Sequence, residues 1–322
     1  MEKRIAKDKM HSGEMTTRLL YYKDAIDMIK NNPFGYGYMG WYYKQTEIQT
    51  GIYDAKYVHC SLLQIMLDVG IVPMICLSIF AVLTFFDKKQ NVISRLIMIL
   101  ILGHSMIDID FEYIYFILLF IIMSKFNTKT FLSKKVFNVV IGALLCSFFI
   151  VAIAALAYEI KDYKTAYSIL PFYTDALQEE LYTVTSPSEQ LEIANMAYKY
   201  NKNISGIYEA FSNKLVNEKK YDEAIYYQKK RLLLNKYVVR NYLEYLSFLS
   251  EGFSYYVQKN DEKNIQMFAQ AVLEIEDIID ETSANTNPLS YKTKHVPNFD
   301  LPEDAKMYIE RMKEVAEKQN TM

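Results

Sequence analysis

The strongest constraint on this chain is a set of three long apolar stretches in its first half. Residues 61–86, 92–124 and 136–158 carry few charged side chains, and the last stretch carries none. About 20 consecutive apolar residues match the hydrocarbon thickness of a bilayer. The sequence therefore predicts an all-α protein in which polytopic membrane helices are followed by a polar, helical second half.

The middle stretch, residues 92–124, is too long for one ordinary helix and contains Asp108, Asp110 and Glu112. It can form a single tilted helix with three buried acids, or two short helices joined by a tight turn at residues 107–112. Each acid at the bilayer centre costs roughly 2.5–3.5 kcal/mol, which favours the turn. We therefore predict about four spans, at residues 61–86, 92–108, 111–125 and 136–158.

Basic residues orient these spans. Residues 87–91 contain two lysines and residues 125–135 contain four. Four spans place both loops on the same side of the membrane, and positive side chains favour the cytoplasmic side. The prediction is a multi-pass protein of the cytoplasmic membrane. It has an extracytoplasmic loop with an amphipathic helix at 1–60, a transmembrane region at 61–158 and an extracytoplasmic helical-repeat domain at 159–322.

The outer loop combines a helix with a glycine-rich turn. Apolar residues at helical spacing predict a helix over residues 16–30 that ends near Asn31-Asn32-Pro33. The sequence PFGYGYMGW follows, and its glycines permit positive φ angles and close backbone approach. By itself such a turn is also typical of aromatic residues at the level of the lipid headgroups.

The order of several residues resembles the C-terminal core of the O-antigen ligase and polymerase family. Arg18 lies on the helix, Pro33-Phe34-Gly35-Tyr36-Gly37 forms the turn, His59 opens the next span, and Asp68-Val69-Gly70 follows. The segment His104-Ser105-Met106-Ile107-Asp108 resembles an H-S-x-x-D element of that core. The resemblance covers about residues 14–125.

The chain also departs from that family. Its turn has one residue fewer between proline and glycine than the P-x-x-G-x-G pattern, and Cys60 stands where relatives often have asparagine. Relatives have about ten or more spans, including N-terminal ones with a further arginine. We therefore expect the chain to be the C-terminal portion of a longer protein.

The resemblance implies transfer of a glycan from a polyprenyl (undecaprenyl) diphosphate carrier to an acceptor hydroxyl, without a cofactor. Arg18 would bind the diphosphate, because a guanidinium pairs phosphate oxygens in a planar fork. His59 would be the catalytic residue, either as a base or as a stabiliser of charge. The structural alternative for Arg18 is a surface charge on the helix, and the structural alternative for His59 is a helix cap.

Three further residues, His104, Asp108 and Asp110, are expected to shape the site. His104 could alternatively form only a hydrogen bond to Asp108. The spacing Asp108-x-Asp110 admits a metal-binding interpretation, but two carboxylates are a thin ligand set for magnesium or calcium. We expect these acids to tie the turn or to pair with Arg18, and we expect no metal.

The second half is predicted to be helical throughout. Residues 191–200, 205–217 and 221–234 read as helices, and the last two resemble a tetratricopeptide pair. A less regular pair would follow at 238–259 and 262–281, then a proline-containing loop at 286–302 and a last helix at 303–318. Stacked pairs of this kind form curved surfaces. Their tyrosines would fill the core or bind sugar rings or a peptide.

Two function classes remain open. The first is a membrane glycan ligase or polymerase that binds the lipid-linked glycan, a glycan, lipid or protein acceptor, and membrane lipid. The alternative is a non-enzymatic membrane-anchored scaffold for surface polysaccharide assembly, with a protein partner on the helical-repeat domain. A transporter ranks third, because the spans show no internal repeat. The net charge of −2 gives no basis for nucleic-acid binding.

Overall fold

The computed structural model describes residues 2–88, 90–124 and 133–320. These residues form fifteen α-helices and two short 3-10 turns, with no β-strand in the described part of the chain. The all-α prediction is therefore confirmed there. Lys89 and residues 125–132, which include Lys125 and Lys129 of the basic loops, lie outside the described residues.

The chain divides into two compact units that differ from the three predicted domains. The first contains Met1–Thr130 and Thr286–Pro297, and the second contains Phe131–Asn285 and Asn298–Met322. The described part of the first unit has six α-helices: α1 (Glu2–Asn31), α2 (Gly40–Ile48), α3 (Ser61–Val69), α4 (Ile71–Phe86), α5 (Val92–Ser105) and α6 (Ile114–Met123). The division at residues 60 and 158 stays a prediction.

Helix α1 ends where the sequence indicates, at Asn31, because Pro33 follows. It begins much earlier than the predicted residue 16. Its inner face carries Leu20, Tyr21, Ala25 and Met28, which are buried with Trp41, Tyr53, Val58 and Leu67. Trp41, the single tryptophan of the chain, is 0% exposed and stacks on Tyr53 with the ring centroids 5.8 Å apart. This core holds the outer loop against α1.

A buried carboxylate links α1 to the loop after α2. Asp24 is 4% exposed and accepts hydrogen bonds from the Thr50 N–H (2.9 Å), the Thr50 hydroxyl (2.7 Å) and the Tyr53 hydroxyl (2.6 Å). Burial raises the pKa of Asp24, and the hydrogen bonds from Tyr53 and Thr50 oppose that shift only in part.

The apolar stretch 61–86 is two helices and not one continuous span. Gly70, with φ +94°, separates α3 from α4. The Ile71 N–H donates to the Pro33 carbonyl (2.9 Å), so the chain interrupts its helix to bind the glycine-rich turn. Tertiary hydrogen bonding overrides the helical tendency of the apolar run at this position.

The glycine-rich turn and this break pack backbone against backbone. The N–H groups of Tyr36 and Gly37 donate to the carbonyls of Leu67 (2.6 Å) and Asp68 (3.0 Å). A Cβ atom on Gly35 would lie 2.7 Å from the Gly70 nitrogen. Glycine is therefore required at Gly35 both by its φ of +85° and by the close approach.

The acidic corner is a turn between two helices. Helix α5 ends at Ser105, Asp110–Glu112 forms a 3-10 turn, and α6 begins at Ile114. The structure therefore has the tight turn, and the single tilted helix is wrong. Two carboxylates of the corner lie beside histidines, as described below.

A distant part of the sequence completes the first unit. The 3-10 turn Pro288–Lys292 packs on α1, and the Asn287 N–H donates to the Thr50 carbonyl (2.8 Å). Ser290 is 0% exposed, and Leu289 packs against the α1 core. We call residues 286–297 the return segment.

The second unit begins with the longest apolar helix, α7 (Lys134–Glu159). Its part Asn138–Glu159 is long and apolar enough to cross a membrane, and only 6% of its most apolar 18-residue segment is buried. Three shorter apolar helices, α4, α5 and α6, have 10–17 residues each. A multi-pass topology remains a prediction.

Eight helices follow α7, and each packs on its neighbour in sequence. They are α8 (Tyr163–Ile169), α9 (Thr174–Thr183), α10 (Pro187–Tyr200), α11 (Ser205–Asn217), α12 (Tyr221–Leu234), α13 (Val239–Lys259), α14 (Glu262–Ala284) and α15 (Glu303–Asn320). The predicted helices at 205–217 and 221–234 are confirmed to the residue. The likeness to tetratricopeptide pairs remains a prediction.

Candidate active site

The site is built around His59 in the loop before α3. The residue has φ +49°, a left-handed conformation that is uncommon for a side chain of this size. Two contacts on either side of its Cα support it: the Tyr22 hydroxyl donates to the His59 carbonyl (2.6 Å), and the Gln64 side chain accepts from the Val58 N–H (3.1 Å). Strained backbone held by its surroundings is common at functional sites.

Tyr22 is suited to that supporting role. It lies on α1 one turn after Arg18, so both side chains share a face of the helix. Burial raises the pKa of Tyr22, so the phenol stays protonated and remains a hydrogen-bond donor.

The acidic corner meets His59 through Asp108. The His59 Nδ1 atom lies 3.4 Å from the Asp108 Oδ1 atom, and both side chains are partly exposed. When Nδ1 carries the proton and points to the carboxylate, Nε2 carries the lone pair of the neutral ring. This arrangement leaves Nε2 as the basic atom.

Arg18 reaches the same corner from α1. Its Nη1 atom donates to the Ile107 carbonyl (3.1 Å), next to Asp108 in the chain. The sequence predicts that the acids tie the turn or pair with Arg18, whereas this hydrogen bond of Arg18 goes to a main-chain oxygen of the turn. It uses one of the five guanidinium N–H donors.

Ser61 fastens the corner to the start of α3. Its N–H and its hydroxyl both donate to the Asp108 carbonyl (3.0 Å each), and its hydroxyl accepts from the Phe111 N–H (3.2 Å). The side chain is buried, with 1% of its surface exposed. Ser61 therefore sets the distance between His59 and Asp108.

His104 pairs with a different acid from the one predicted. Its Nδ1 atom lies 2.8 and 2.9 Å from the two Asp110 oxygens, and Asp110 is almost completely buried while His104 is half exposed. The His104 side chain therefore does not make the alternative bond to Asp108, and the bond between these two residues is one of the main chain, from the Asp108 N–H to the His104 carbonyl (3.0 Å). Because the two carboxylates of the Asp108-x-Asp110 sequence are bonded to different histidines, they do not act as one ligand pair.

The structure thus brings Arg18, His59 and Asp108 together, and it holds His104 and Asp110 as a second pair on the same corner. The described residues contain no group of three or more His, Cys, Asp or Glu side chains that could hold a metal ion. Sequence reasoning missed Tyr22, Ser61 and Gln64, which position the site. Polar side chains at the start of an apolar stretch were the available signal for Ser61 and Gln64.

Comparison with known proteins supports the first part of the expected resemblance. No curated protein and no solved structure matches the chain significantly. A family model matches a segment that contains Arg18, the glycine-rich turn and His59 but ends before His104 and Asp110. Over residues 2–78, which are 77 of the 322 residues, the chain is similar to the family described as O-antigen ligase.

Proposed function

We propose that this protein transfers a glycan from a polyprenyl diphosphate carrier to an acceptor hydroxyl at the outer face of the cytoplasmic membrane. The observation that carries the proposal is the meeting of Arg18, His59 and Asp108 at one corner. The similarity of residues 2–78 to O-antigen ligases supports the same reaction class. The apolar helix α7 supports a membrane location.

The reaction needs a cation that stabilises the departing diphosphate and a group that acts on the acceptor hydroxyl. The corner offers Arg18 for the first and His59 for the second. The acceptor oxygen forms a bond to the anomeric carbon of the glycan while the bond from that carbon to the diphosphate oxygen breaks. Negative charge stays on the departing diphosphate, where the Arg18 guanidinium stabilises it.

His59 can act in this reaction either as a general base or as a cation. As a general base, its Nε2 atom takes the acceptor proton, and Asp108 stabilises the imidazolium that forms. As a cation, it stabilises the leaving diphosphate beside Arg18. The contact between Nδ1 and Asp108 favours the first role, because it turns the basic nitrogen away from the carboxylate.

The first test is His59→Ala in cells whose own copy of the protein is replaced by the variant. We expect transfer to fall by about 10²–10⁴-fold, the usual contribution of a general base, with lipid-linked glycan accumulating. His295→Ala removes an exposed histidine outside the site and is the matched control. Retained transfer in His59→Ala, with normal membrane insertion, would remove His59 from the mechanism.

Arg18 is tested by comparing Arg18→Lys with Arg18→Ala. A lysine keeps the charge but loses the planar fork, so we expect partial activity for Arg18→Lys and little for Arg18→Ala. Equal activity of the two variants and the native chain would contradict a role in diphosphate binding.

The second candidate is a membrane-anchored scaffold, favoured by the array of packed helices α8–α15, since such arrays present extended binding surfaces. The same variants separate the two candidates. A scaffold predicts that His59→Ala and Arg18→Ala support polysaccharide assembly as well as the native chain does. Loss of the cell-surface glycan in both variants would reject the scaffold as the sole function.

A further inference from the structure

The second unit has an open groove that the proposed reaction does not use. Its volume is about 570 Å³, within the range of small-molecule binding sites. One wall is a single stripe of α13, and the other side is formed by Tyr221 at the start of α12. The stripe runs from Ser247 to Gln258, which corresponds to about 16 Å along a helix with a rise of 1.5 Å per residue.

The chemistry of the lining is unusual for a protein-binding groove. Three serines, one glutamine, one glutamate and two tyrosines line it, and none of the lining residues is aliphatic. Grooves that bind amphipathic helices depend on apolar anchors, and grooves that bind proline-rich peptides are lined by aromatic rings. This lining has no aliphatic anchor, and of its two rings Tyr221 is buried, so Tyr255 is the one ring it offers to a ligand; the lining therefore disfavours a peptide of either kind.

The charges of the groove disfavour an anionic ligand. Glu251 is the only charged side chain in the lining, and its Oε1 atom accepts a hydrogen bond from the Tyr221 hydroxyl (2.6 Å). Lys259 lies over the neighbouring Tyr255 ring, with its Nζ atom 4.5 Å from the ring centroid. A phosphate site would instead present arginine or lysine donors to the groove.

The hydroxyls and the amide suit a ligand that carries many hydroxyl groups. A serine hydroxyl can both donate and accept, and the Gln258 amide does the same through separate atoms. The Ser254 hydroxyl already donates to the Ser250 carbonyl (2.8 Å) and offers a ligand its acceptor lone pairs. The serine hydroxyls recur at about one position per turn of α13, at Ser247, Ser250 and Ser254. The half-buried Tyr255 adds an aromatic surface, and its ring centroid is 5.1 Å from that of the buried Tyr221. Rings of this kind cover apolar C–H faces while leaving a polar tip.

We propose that this groove binds a segment of glycan, in a site separate from the Arg18–His59–Asp108 corner. The inference rests on the proposed function for the identity of the glycan, since a glycan ligase handles a chain of linked sugars. The groove would hold a few linked sugars of that chain through the serine stripe on α13.

The test measures binding of oligosaccharides to the full chain in lipid nanodiscs, which contain no sugar-based detergent. The probes are oligosaccharides of two to six sugars, released by mild acid from the lipid-linked glycan of the cells that make the protein. We expect saturable binding by calorimetry. Periodate oxidises pairs of neighbouring hydroxyls and cleaves the carbon–carbon bond between them, so treatment of the probe should abolish binding.

The variant Ser250→Ala/Ser254→Ala removes two groove hydroxyls, and we expect Kd to rise about tenfold or more. Ser168→Ala is the matched control. Ser168 is also an exposed helical serine in the second unit, and like Ser254 its hydroxyl donates to the carbonyl four residues earlier. Its substitution should leave Kd unchanged.

Several outcomes would overturn the inference: no binding, equal binding of periodate-treated probe, or an unchanged Kd in the double variant. A random tetrapeptide pool is tested in the same way. If the native chain binds the peptides, the double variant binds them more weakly and no oligosaccharide binds, the groove is a peptide site and the glycan proposal is rejected. Groove binding is measured with released oligosaccharide on the native and double-variant chains, whereas the transferase proposal is tested by transfer of the lipid-linked glycan in cells that carry His59→Ala. Failure of the proposed glycan binding in the groove can therefore be distinguished from failure of the transferase proposal.

Discussion

At the scale of single residues, Asp24 shows how a buried charge shapes the outer loop. Its carboxylate accepts three hydrogen bonds from Thr50 and Tyr53, and Asp24→Ala removes this acceptor. We expect a loss of about 2–4 kcal/mol in unfolding free energy, from the loss of several hydrogen bonds to a carboxyl group in the core. Trp41 fluorescence during denaturation reports this core directly.

Asp27→Ala is the control for that change. Asp27 lies on the same helix in an exposed ion pair with Lys30 (2.7 Å), and such pairs contribute little. We expect its unfolding midpoint to match that of the native chain. Equal destabilisation by the two variants would mean that the Asp24 network is not a stabilising feature.

The same carboxylate makes a pH-dependent prediction. Because burial raises the pKa of folded Asp24, the folded state binds its proton more tightly than the unfolded state does. This contribution to stability is present below the ordinary carboxyl pKa and is lost as pH rises through the raised one. We therefore expect the native chain to lose stability relative to Asp24→Asn as pH rises through this window. A pH-independent difference would contradict the raised pKa.

At the scale of structural elements, the glycine-rich turn and the break between α3 and α4 act as one clamp. Gly35 and Gly37 have nearly equal φ angles, +85° and +88°. A Cβ on Gly35 would lie 2.7 Å from the Gly70 nitrogen and 2.9 Å from the Asp68 oxygen, whereas nothing lies within 4 Å of one on Gly37. An alanine at Gly37 therefore tests backbone strain alone, whereas an alanine at Gly35 adds steric overlap to that strain.

We expect Gly37→Ala to cost roughly 1–2 kcal/mol, the penalty of a left-handed conformation with a side chain. Gly35→Ala should cost clearly more, because the overlapping atoms are backbone and cannot turn away. The midpoint of Trp41 unfolding compares the two variants. If Gly35→Ala were no worse than Gly37→Ala, the close approach of the turn to Gly70 would be excluded.

At the scale of the whole molecule, the return segment makes the first unit depend on residues far along the chain. Ser290 is 0% exposed and lies against Gly51, which Leu20 also approaches, while its neighbour Tyr291 is 46% exposed. We expect Ser290→Leu to overpack this contact and cost about 1–3 kcal/mol, as judged by the Trp41 transition. Tyr291→Leu, in the same turn, should have little effect. Equal transitions for the two variants would contradict a stabilising role for the return segment.

The local features of this chain were predictable where neighbouring residues decide them. The end of α1 follows from Asn31, Asn32 and Pro33, and the bounds of α11 and α12 follow from helical periodicity. The turn at residues 107–112 follows from the cost of placing three acids in hydrocarbon. In each case the deciding interaction is local or is with the solvent, so the order of residues contains the information.

The tertiary structure alone decided the contacts between distant segments. Nothing near Gly70 in sequence indicates that the Ile71 N–H donates to the Pro33 carbonyl. Nothing near His104 indicates that its side chain pairs with Asp110 and not with Asp108. The return segment looks like an ordinary proline-containing loop until Asn287 is seen bonded to Thr50. Hydrogen bonds and close packing depend on distances of a few tenths of an ångström, and the folded chain sets those distances only after its helices have packed. The sequence alone therefore determined the helix ends that local residues decide and the residue types of the site, whereas packing decided where the apolar run 61–86 breaks and which site residues meet.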